Sequence, residues 1–284
     1  MLISEEYRAS KEERGSSSPP SLGGVAGSTI TLEMDRGSLG LLPTIAACLF
    51  DLDGVLTKTA RVHAAAWKAM FDAFLKQRSG KAGELLRPFD EVADYDEYVD
   101  GKPREDGVRS FLASRHITLP EGEEGDAPEA ETVHGLGNRK DQLFLHLIRT
   151  KGVEAYQGSI QYLRAARDAQ LRLAVVTSSK NCSEVLRAAR LEGMFDAQVD
   201  GNVALAKKLA GKPAPDTYLE AARMLDATPA GAAVYEDALA GVAAGRAGRF
   251  GLVVGVDRVG QAAALREHGA DVVVKDLADL IKPN

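Results

Sequence analysis

The feature that most constrains the fold is a series of short apolar runs separated by longer amphipathic stretches. The apolar runs cover residues 45–50, 171–176, 232–235, 252–256 and 271–274. Helical periodicity separates the later runs, at about 158–169, 181–191, 214–226, 238–247 and 259–268. Runs this short and this apolar are typical of strands buried on both faces. The alternation therefore predicts an α/β fold, with a doubly wound parallel sheet and helices on both faces.

One interval in this series is far too long for a simple crossover. Residues 51–170 separate the first run from the second, whereas a crossover connection needs only about a dozen residues. Helical periodicity appears in the interval near 61–77, 104–115 and 138–150, and no convincing buried strand does. We therefore predict a helical domain at 60–151, inserted into a core domain made of residues 44–59 and 152–284. Within it, the acidic segment 121–126 is predicted to be an exposed loop.

The first 43 residues differ in composition from the rest of the chain. Ser-Ser-Ser-Pro-Pro-Ser at residues 16–21 and the glycine pair at 23–24 interrupt any periodicity. Such a segment buries too little apolar surface to offset the entropy of the chain. We predict that residues 1–43 form a disordered extension and that order begins near Thr44.

Charge and composition argue against several classes of protein. The chain has 284 residues, a formal charge of −6 and a pI near 5.5, whereas general nucleic-acid binders need a basic surface. No apolar run approaches the roughly 20 residues that span a bilayer, and the N-terminus lacks the order of a secretory signal. The two cysteines, Cys48 and Cys182, cannot form a disulfide framework. We expect a cytoplasmic monomer with neither a nucleic-acid nor a membrane partner.

Two carboxylates follow the first apolar run. Asp51 comes directly after Phe50, Asp53 is two residues further on, and Gly54 permits a sharp exit or a close backbone approach. In open parallel sheets, ligands bind outside the carboxyl ends of the strands. The pair can hold a hard cation such as Mg²⁺, while one carboxylate attacks phosphorus and the other handles a proton. In isolation, the same residues would also fit an ordinary Asp-Gly turn that closes a strand.

Phosphoryl transfer also needs groups that neutralise the phosphoryl oxygens, and such groups occur later in the chain near other predicted strand ends. Hydroxyls and helix-start amides at Thr177, Ser178 and Ser179 can bind phosphate. Lys212, between Gly211 and Pro213, supplies a cation for the phosphoryl oxygens, and Glu236-Asp237 adds carboxylates for a metal. Each group alone also fits a helix cap, a solvated charge or a helix start. Their combination at successive strand ends favours one shared site.

These blocks together resemble the four motifs of the haloacid dehalogenase superfamily over roughly residues 44–275. The quoted motifs are Phe50-Asp51-Leu52-Asp53-Gly54-Val55-Leu56-Thr57, Thr177-Ser178-Ser179, Lys212-Pro213-Ala214-Pro215-Asp216 and Glu236-Asp237. The resemblance implies a nucleophilic Asp51, a general acid and base at Asp53, and phosphoryl stabilisation by Thr177 and Lys212. It also implies Mg²⁺ held by Asp51, the backbone carbonyl of Asp53 and Asp237, with Glu236 nearby.

Finer features resemble the β-phosphoglucomutase-like subgroup of that superfamily. The segments concerned are 59–67, 101–106, 139–141 and 177–181. The resemblance implies a cap at the inserted helices and substrate contacts from Thr59, His63, Trp67, Arg104, Lys140, Ser178, Ser179 and Asn181. The implied reaction converts β-glucose 1-phosphate to glucose 6-phosphate through an aspartyl phosphate. A sugar-phosphate phosphatase on the same scaffold is the alternative, and a non-catalytic sugar-phosphate-binding protein is a remote one.

Three positions depart from the subgroup pattern. Asp100 stands where a lysine is usual, Gly107 stands where a serine is usual, and Lys58 replaces an acidic residue of the hinge. The site loses a cation and a hydroxyl, although Lys102 is placed to substitute for the cation. These positions bear on the choice of sugar.

Overall fold

The sheet has six parallel strands in the order β3-β2-β1-β4-β5-β6. The computed structural model describes residues 36–82 and 87–282 of the chain. The strands are β1 (Ala47–Phe50), β2 (Arg172–Val176), β3 (Ala197–Val199), β4 (Ala232–Glu236), β5 (Leu252–Val256) and β6 (Val272–Val274). The predicted α/β fold with a doubly wound parallel sheet is confirmed.

Alternation along the strands divides the core between the two faces of the sheet. In β1, Cys48 and Phe50 join one apolar cluster, whereas Leu49 joins the other. The helices are α4 (Gln157–Asp168), α5 (Cys182–Ala188), α6 (Gly201–Lys207), α7 (Asp216–Met224), α8 (Leu239–Ala247) and α9 (Ala262–Glu267). Helices α4 and α5 cover the first face, and α7 to α9 cover the second. Because β1 is covered on both faces, its C-terminal end is held rigidly.

Two elements of the core are missing from the sequence prediction. Strand β3 has only three residues, one of them the polar Gln198, and is too short to show a periodicity. Helix α6 follows it and begins at an N-cap, where the Asp200 carboxylate accepts hydrogen bonds from the backbone of Asn202 and Val203. Both elements border the site described below.

Three long helices and a π-helix fill the chain between β1 and β2. They are α1 (Ala60–Ala82), the π-helix (Tyr95–Val99), α2 (Arg104–Ser114) and α3 (Val133–Lys151). They pack around a separate apolar cluster that contains Phe71 and Phe111, whose ring centroids are 4.0 Å apart. This arrangement agrees with the helices expected there, and no strand occurs in its described part. We call residues 60–151 the insertion; its independence as a domain stays a prediction.

The two connections between insertion and sheet run side by side. Thr57 and Ala155 form an antiparallel bridge, and the backbone N–H of Lys58 donates to the carbonyl of Glu154 at 2.8 Å. The N–H of Tyr156 donates to the carbonyl of Leu56 at 3.0 Å. The Lys58 ammonium also pairs with the Glu154 carboxylate. The insertion therefore leaves and re-enters the core at one place, which we call the hinge.

The folded chain extends further towards the N-terminus than the predicted start at Thr44. A 3₁₀-helix covers Arg36–Leu39, and Leu39 and Leu41 are buried. The hydroxyl of Tyr162 donates to the carbonyl of Leu39 at 3.1 Å. Residues 36–43 therefore belong to the core, because their two leucines complete an apolar cluster. The rest of the predicted extension, residues 1–35, lies outside the described residues.

Two predictions made from the composition concern the state of the cysteines and the presence of membrane-spanning helices. Cys48 and Cys182 are both buried free thiols. In residues 36–82 and 87–282, no helix combines the length and the apolar character that crossing a membrane requires.

Candidate active site

The end of β1 carries a buried ion-pair group. The Lys212 ammonium lies 2.5 Å from Asp51 Oδ1 and 2.6 Å from Glu236 Oε1. Glu236 also accepts hydrogen bonds from the Tyr218 hydroxyl at 3.2 Å and the Ala238 backbone N–H at 2.9 Å. All three charged side chains are at least nine-tenths buried, so each needs the others to offset the loss of water. The lysine thereby fixes the Asp51 carboxylate in one orientation.

Gly54 is required where the chain leaves β1. Its φ is +90°, and a Cβ atom there would lie 1.7 Å from Asp237 Oδ2. Any side chain would therefore displace the Asp237 carboxylate, besides straining the backbone. This confirms the close approach expected at Gly54. It also explains how the carboxylates that follow β1 and β4 come so near each other.

Asp51, Glu236 and Asp237 form a buried carboxylate triad. Each offers an oxygen, and these three oxygens lie within 4.8 Å of one another. Burial raises the pKa values of Asp51 and Asp237, and the neighbouring carboxylates raise them further, while Lys212 opposes the rise. A divalent cation would relieve this repulsion, and carboxylate oxygens are the ligands that Mg²⁺ and Ca²⁺ prefer. The donor set therefore fits a hard metal ion. The Asp53 carboxylate is not a member of the triad.

The Asp53 carboxylate is directed towards the insertion instead. His63 Nε2 lies 3.3 Å from Asp53 Oδ1, and the hydroxyl of Thr59 donates to the same oxygen. On the far side of the ring, Lys140 Nζ lies 2.6 Å from His63 Nδ1. A charged Lys140 donates to Nδ1, which places the ring proton on Nε2, facing Asp53. The Asp53–His63–Lys140 chain thus joins the end of β1 to helices α1 and α3.

The pKa values in this chain follow from burial and from the neighbouring charges. Burial raises the pKa of Asp53, but His63 and Thr59 outweigh it and bring the pKa to about 2. Burial lowers the pKa of Lys140 to about 8, although Asp141 and Asp53 oppose that change. Burial also lowers the pKa of His63, and the charge of Lys140 adds to this effect. At neutral pH the chain therefore holds an ionised Asp53 beside a neutral imidazole.

The loop after β2 lies between these groups. The Thr177 hydroxyl is 3.4 Å from Asp53 Oδ2 and accepts a hydrogen bond from the backbone N–H of Ser179 at 3.1 Å. Ser178 Oγ donates across to the carbonyl of Gly101 in the insertion at 2.8 Å. The backbone N–H of Asn181 donates to Ser179 Oγ at 3.1 Å. This loop therefore contacts both the Asp53 carboxylate, which follows β1, and the insertion.

Arg104 begins α2 and lies across α3. Its Nε lies 3.2 Å from Glu105 Oε1, and its Nη1 lies 3.0 Å from Asp141 Oδ1. The same Asp141 oxygen accepts a hydrogen bond from Asn181 Nδ2 at 2.7 Å. Nearby, the Lys180 ammonium lies 2.7 Å from Glu124 Oε1 in the acidic loop. Insertion and core are therefore joined by polar contacts at the far end of the site.

These groups surround one cavity of about 450 Å³ between sheet and insertion. This volume is typical of a site for a small molecule. Predicted site residues on its wall are Asp51, Asp53, His63, Trp67, Arg104, Lys140, Thr177, Ser178, Ser179, Asn181 and Asp237. Three predicted residues lie behind the wall: Thr59, Lys212 and Glu236. Thr59 is placed to orient Asp53 rather than to contact substrate, because its buried hydroxyl is already bonded.

Sequence reasoning missed several residues of the cavity wall. They include Tyr95, Glu105, Glu124, His134, Asp141 and Lys180. Lys180 and Asp141 lie inside the segments that carry the resemblance, directly beside residues that were predicted. Nothing in the sequence itself distinguishes them from those neighbours. Tyr95 and His134 have no motif around them, and no signal in a single chain would select them.

Asp100 gives the cavity an acidic wall where the subgroup pattern has a lysine. Burial raises its pKa to about 7, with further contributions from Glu236 and Asp96. The carboxyl and the Tyr95 hydroxyl share a hydrogen bond. The next residue, Gly101, lies against the core, because a Cβ there would be 3.0 Å from the Cβ of Ala238.

The other two departures have structural explanations. A Cβ at Gly107 would lie 3.2 Å from Trp67 Cζ2, so a serine there would press on the indole ring. Lys58 has an opposite charge to pair with, since Glu154 lies on the neighbouring hinge segment. Gly107 therefore makes room for Trp67, and Lys58 belongs to the hinge rather than to the cavity.

A buried carboxylate beside a buried lysine, a strand-end hydroxyl and an acidic group that fits a metal ion is an arrangement suited to aspartate-based phosphoryl transfer. Comparison with known proteins agrees with this class. The family model described as haloacid dehalogenase-like hydrolase matches residues 45–249. The chain belongs to this family and is an enzyme of it.

Several known proteins are similar to this chain over most of its length. The chain is 56% identical to a β-phosphoglucomutase of Mycobacterium tuberculosis over 246 residues, which cover 86% of this chain and 94% of that protein. It is 34% identical to a β-phosphoglucomutase of Bacillus subtilis, with 82% and 91% of the two chains covered. A crystal structure of β-phosphoglucomutase from Clostridium difficile superposes with a TM-score of 0.64 at 24% identity, covering 83% and 93%. That last likeness shows the fold alone.

Proposed function

We propose that this enzyme is a β-phosphoglucomutase, which converts β-glucose 1-phosphate to glucose 6-phosphate. The observation that carries the proposal is a cavity with phosphate-binding chemistry at both ends. The proximal group consists of Asp51 and Thr177 on the wall with Lys212 directly behind Asp51, and the distal group consists of Arg104, Lys180 and Asn181. A monophosphate needs only one such group, whereas a sugar bisphosphate needs two. The 56% identity to a mycobacterial β-phosphoglucomutase supports the same reaction.

We propose Mg²⁺ as the metal. Asp51 and Asp237 would hold it, with the backbone carbonyl of Asp53 as a further ligand and Glu236 behind them. When bound, the ion supplies positive charge that offsets the phosphoryl oxygens. The buried carboxylate triad supports this proposal, because its members repel one another without a cation.

Each half of the reaction moves one phosphoryl group and one proton. The C6 hydroxyl of β-glucose 1-phosphate attacks the phosphorus carried by Asp51, the bond to Asp51 breaks, and the hydroxyl proton passes to Asp53. The resulting 1,6-bisphosphate binds in the opposite orientation. Asp51 then attacks the phosphorus at C1, and Asp53 returns its proton to the leaving oxygen. Lys212 and Thr177 stabilise the phosphoryl oxygens in both halves.

Asp53 is prepared for the first of these steps. Its low pKa, near 2, keeps it ionised and able to accept the hydroxyl proton. Thr59 holds the carboxylate from the core side and His63, backed by Lys140, holds it from the insertion side, so its full set of contacts exists only while insertion and core are together. Water is excluded at the same time, which lets the sugar hydroxyl react with the aspartyl phosphate first.

The distinguishing experiment supplies β-glucose 1-phosphate, Mg²⁺ and a trace of glucose 1,6-bisphosphate, and measures glucose 6-phosphate and free phosphate together. We expect glucose 6-phosphate in large excess. Free phosphate alone would instead identify a sugar-phosphate phosphatase on the same scaffold. The absence of turnover with any phosphomonoester, with Mg²⁺ present, would identify a non-catalytic binding protein.

We propose further that the protein acts as a monomer in the cytoplasm, on a small phosphorylated sugar and without nucleic acid or membrane. The support is that one chain supplies every group of the cavity wall named above, and that the formal charge is −6. Light scattering during size-exclusion chromatography should give a mass near 30.2 kDa. A mass of twice that value would contradict the monomer.

A further inference from the structure

Asp141 occupies an unusual position between the two halves of the distal group. It lies on α3 of the insertion, directly after Lys140, and lines the cavity. Its Oδ1 atom is 3.0 Å from Arg104 Nη1 and accepts a hydrogen bond from Asn181 Nδ2 at 2.7 Å. Arg104 belongs to the insertion and Asn181 to the core. One carboxylate oxygen therefore connects the two sides of the cavity.

The contacts of Arg104 leave part of its guanidinium available. Nε faces Glu105 and Nη1 faces Asp141, whereas Nη2 has no ion-pair partner in the described part of the chain. The side-chain stem lies along α3, 3.4–3.6 Å from where a Cβ of Gly137 would be. Gly137 and Asp141 are one helical turn apart, so α3 supports both the stem and the head of the arginine. The guanidinium is thus fixed in direction before a ligand arrives.

We propose that Asp141 is a positioning residue for the distal phosphate of the substrate. It orients the Arg104 guanidinium from the insertion and holds the Asn181 amide from the core, so that one phosphate meets both. Assembly of the distal group and closure of the insertion over the cavity are then the same event. This inference rests on the proposed function, because only a substrate with two phosphates uses the distal group.

The charges explain why a carboxylate is used although the ligand is an anion. Asp141 repels a phosphate, but the charges of Arg104 and Lys140 interact with it and oppose that repulsion. A carboxylate also makes stronger contacts to a guanidinium and an amide than a neutral side chain does. The gain in orientation therefore depends on the negative charge. The substitution Asp141→Asn would keep the shape of the side chain and lose most of the hold on Arg104.

The test compares two ligands that share the proximal group and differ in the distal one. Inorganic phosphate needs only the proximal group, whereas glucose 1,6-bisphosphate needs both. To prevent phosphoryl transfer during the measurement, we would determine the Kd of each by calorimetry in an Asp51→Asn background, with Mg²⁺ present, for Asp141 unchanged, Asp141→Ala, Asp141→Asn and Asp141→Glu. Glu91→Ala, an exposed carboxylate of the insertion away from the cavity, is the matched control.

We expect Asp141→Ala to weaken bisphosphate binding about tenfold to hundredfold, as for the loss of one charge-assisted hydrogen bond, and to leave phosphate binding within about twofold. Asp141→Asn should fall in between, and Asp141→Glu should recover part of the loss. In a double-mutant cycle, Asp141→Ala and Asn181→Ala should be less than additive, since each removes the same contact.

Equal weakening of both ligands would overturn the proposal, because it would make Asp141 a general structural residue. An unchanged Kd for the bisphosphate would overturn it as well. Failure of the proposed function would give another result, because the wild type would then bind the bisphosphate and still produce no glucose 6-phosphate. The Asp141 comparison remains decisive in that case, because it measures binding and not turnover.

Discussion

The two sides of the cavity are built in different ways. The core edge, defined as Asp51, Lys212, Glu236 and Asp237, is buried, and the ion pairs of Lys212 with Asp51 and Glu236 lie entirely outside the insertion. The insertion wall, defined as Arg104, Glu105, Lys140 and Asp141, is less buried apart from Lys140, and it reaches the opposite side through the hydrogen bond that Asn181 donates to Asp141. The core edge is therefore preorganised by the fold itself. The insertion wall is held partly within the insertion, where Arg104 contacts Glu105 and Asp141, and partly by the core, where Asn181 donates to Asp141.

This difference separates the chemistry from the choice of substrate. The groups that we propose for the bond to phosphorus lie at or beside the buried strands, which suits a reaction that depends on fixed geometry. The groups that we propose for recognition of the rest of the substrate include residues of the insertion, whose two connections to the core run side by side. Changes on the two sides should consequently affect different measurements.

The largest effect should come from the core edge. Asp51→Asn removes the nucleophile, and we expect phosphoryl transfer to fall by at least about 10³-fold with every substrate. The melting temperature should stay close to that of the wild type, because the amide keeps the shape and relieves the buried charge repulsion. Turnover of both acetyl phosphate and β-glucose 1-phosphate would be measured. Survival of either activity would contradict the assignment of Asp51.

A change in the insertion wall should discriminate between substrates. Arg104→Ala should raise the KM for the mutase reaction about tenfold to hundredfold, because a charged contact to the distal phosphate is lost. Acetyl phosphate has no distal phosphate, so its kcat/KM should change by less than about threefold. Arg149→Ala, at an exposed position on α3, serves as control. Equal losses of activity with both substrates would contradict the proposal that the insertion wall recognises the distal phosphate while the core edge carries out the chemistry.

The Asp53–His63–Lys140 chain, which joins the two sides of the cavity, should make the rate of the mutase reaction depend on pH. The pKa of Lys140 is lowered to about 8 by burial, so the ammonium that donates to His63 is lost above that pH. We expect kcat/KM for the mutase reaction to fall by up to about tenfold per pH unit above pH 8. In Lys140→Arg the cation persists, and this limb should move beyond pH 9. Lys151→Arg, on the exposed end of α3, should leave the profile where it is.

The smallest effect concerns Asp100, where the insertion meets the core edge. Burial raises its pKa to about 7 in the folded protein, above the value of 3.8 for an unperturbed group. The folded state therefore binds more protons between these values, and stability falls as the pH rises through this window. Without Mg²⁺, Asp100→Asn should melt about 2–4 °C higher than the wild type at pH 8 and no higher at pH 4.

The control for this prediction is Asp168→Asn, an exposed carboxylate at the end of α4. Its melting temperature relative to the wild type should not change between the two pH values. A pH-independent shift in Asp100→Asn would mean that the carboxyl titrates normally, and the electrostatic contact between insertion and core edge would be smaller than proposed.

The sequence was informative where a residue's role depends on its own neighbours in the chain. Asp51 and Gly54 follow an apolar run directly, so their place at a strand end could be predicted. Strand β3 could not, because three residues with a central glutamine show no periodicity. The contacts of Asp141 with Arg104 and Asn181 were equally inaccessible, since they join segments about 40 residues apart in sequence. Such pairings depend on how the insertion folds back on the core.

The hinge has a consequence for how enzymes of this kind diversify. Because Thr57 and Ala155 are bridged neighbours, the two ends of the insertion are almost in contact. Any folded segment whose own termini lie close together could replace the present one without moving the sheet. The phosphorus chemistry can then be inherited unchanged while the segment above it is exchanged, lengthened or rebuilt for a new substrate.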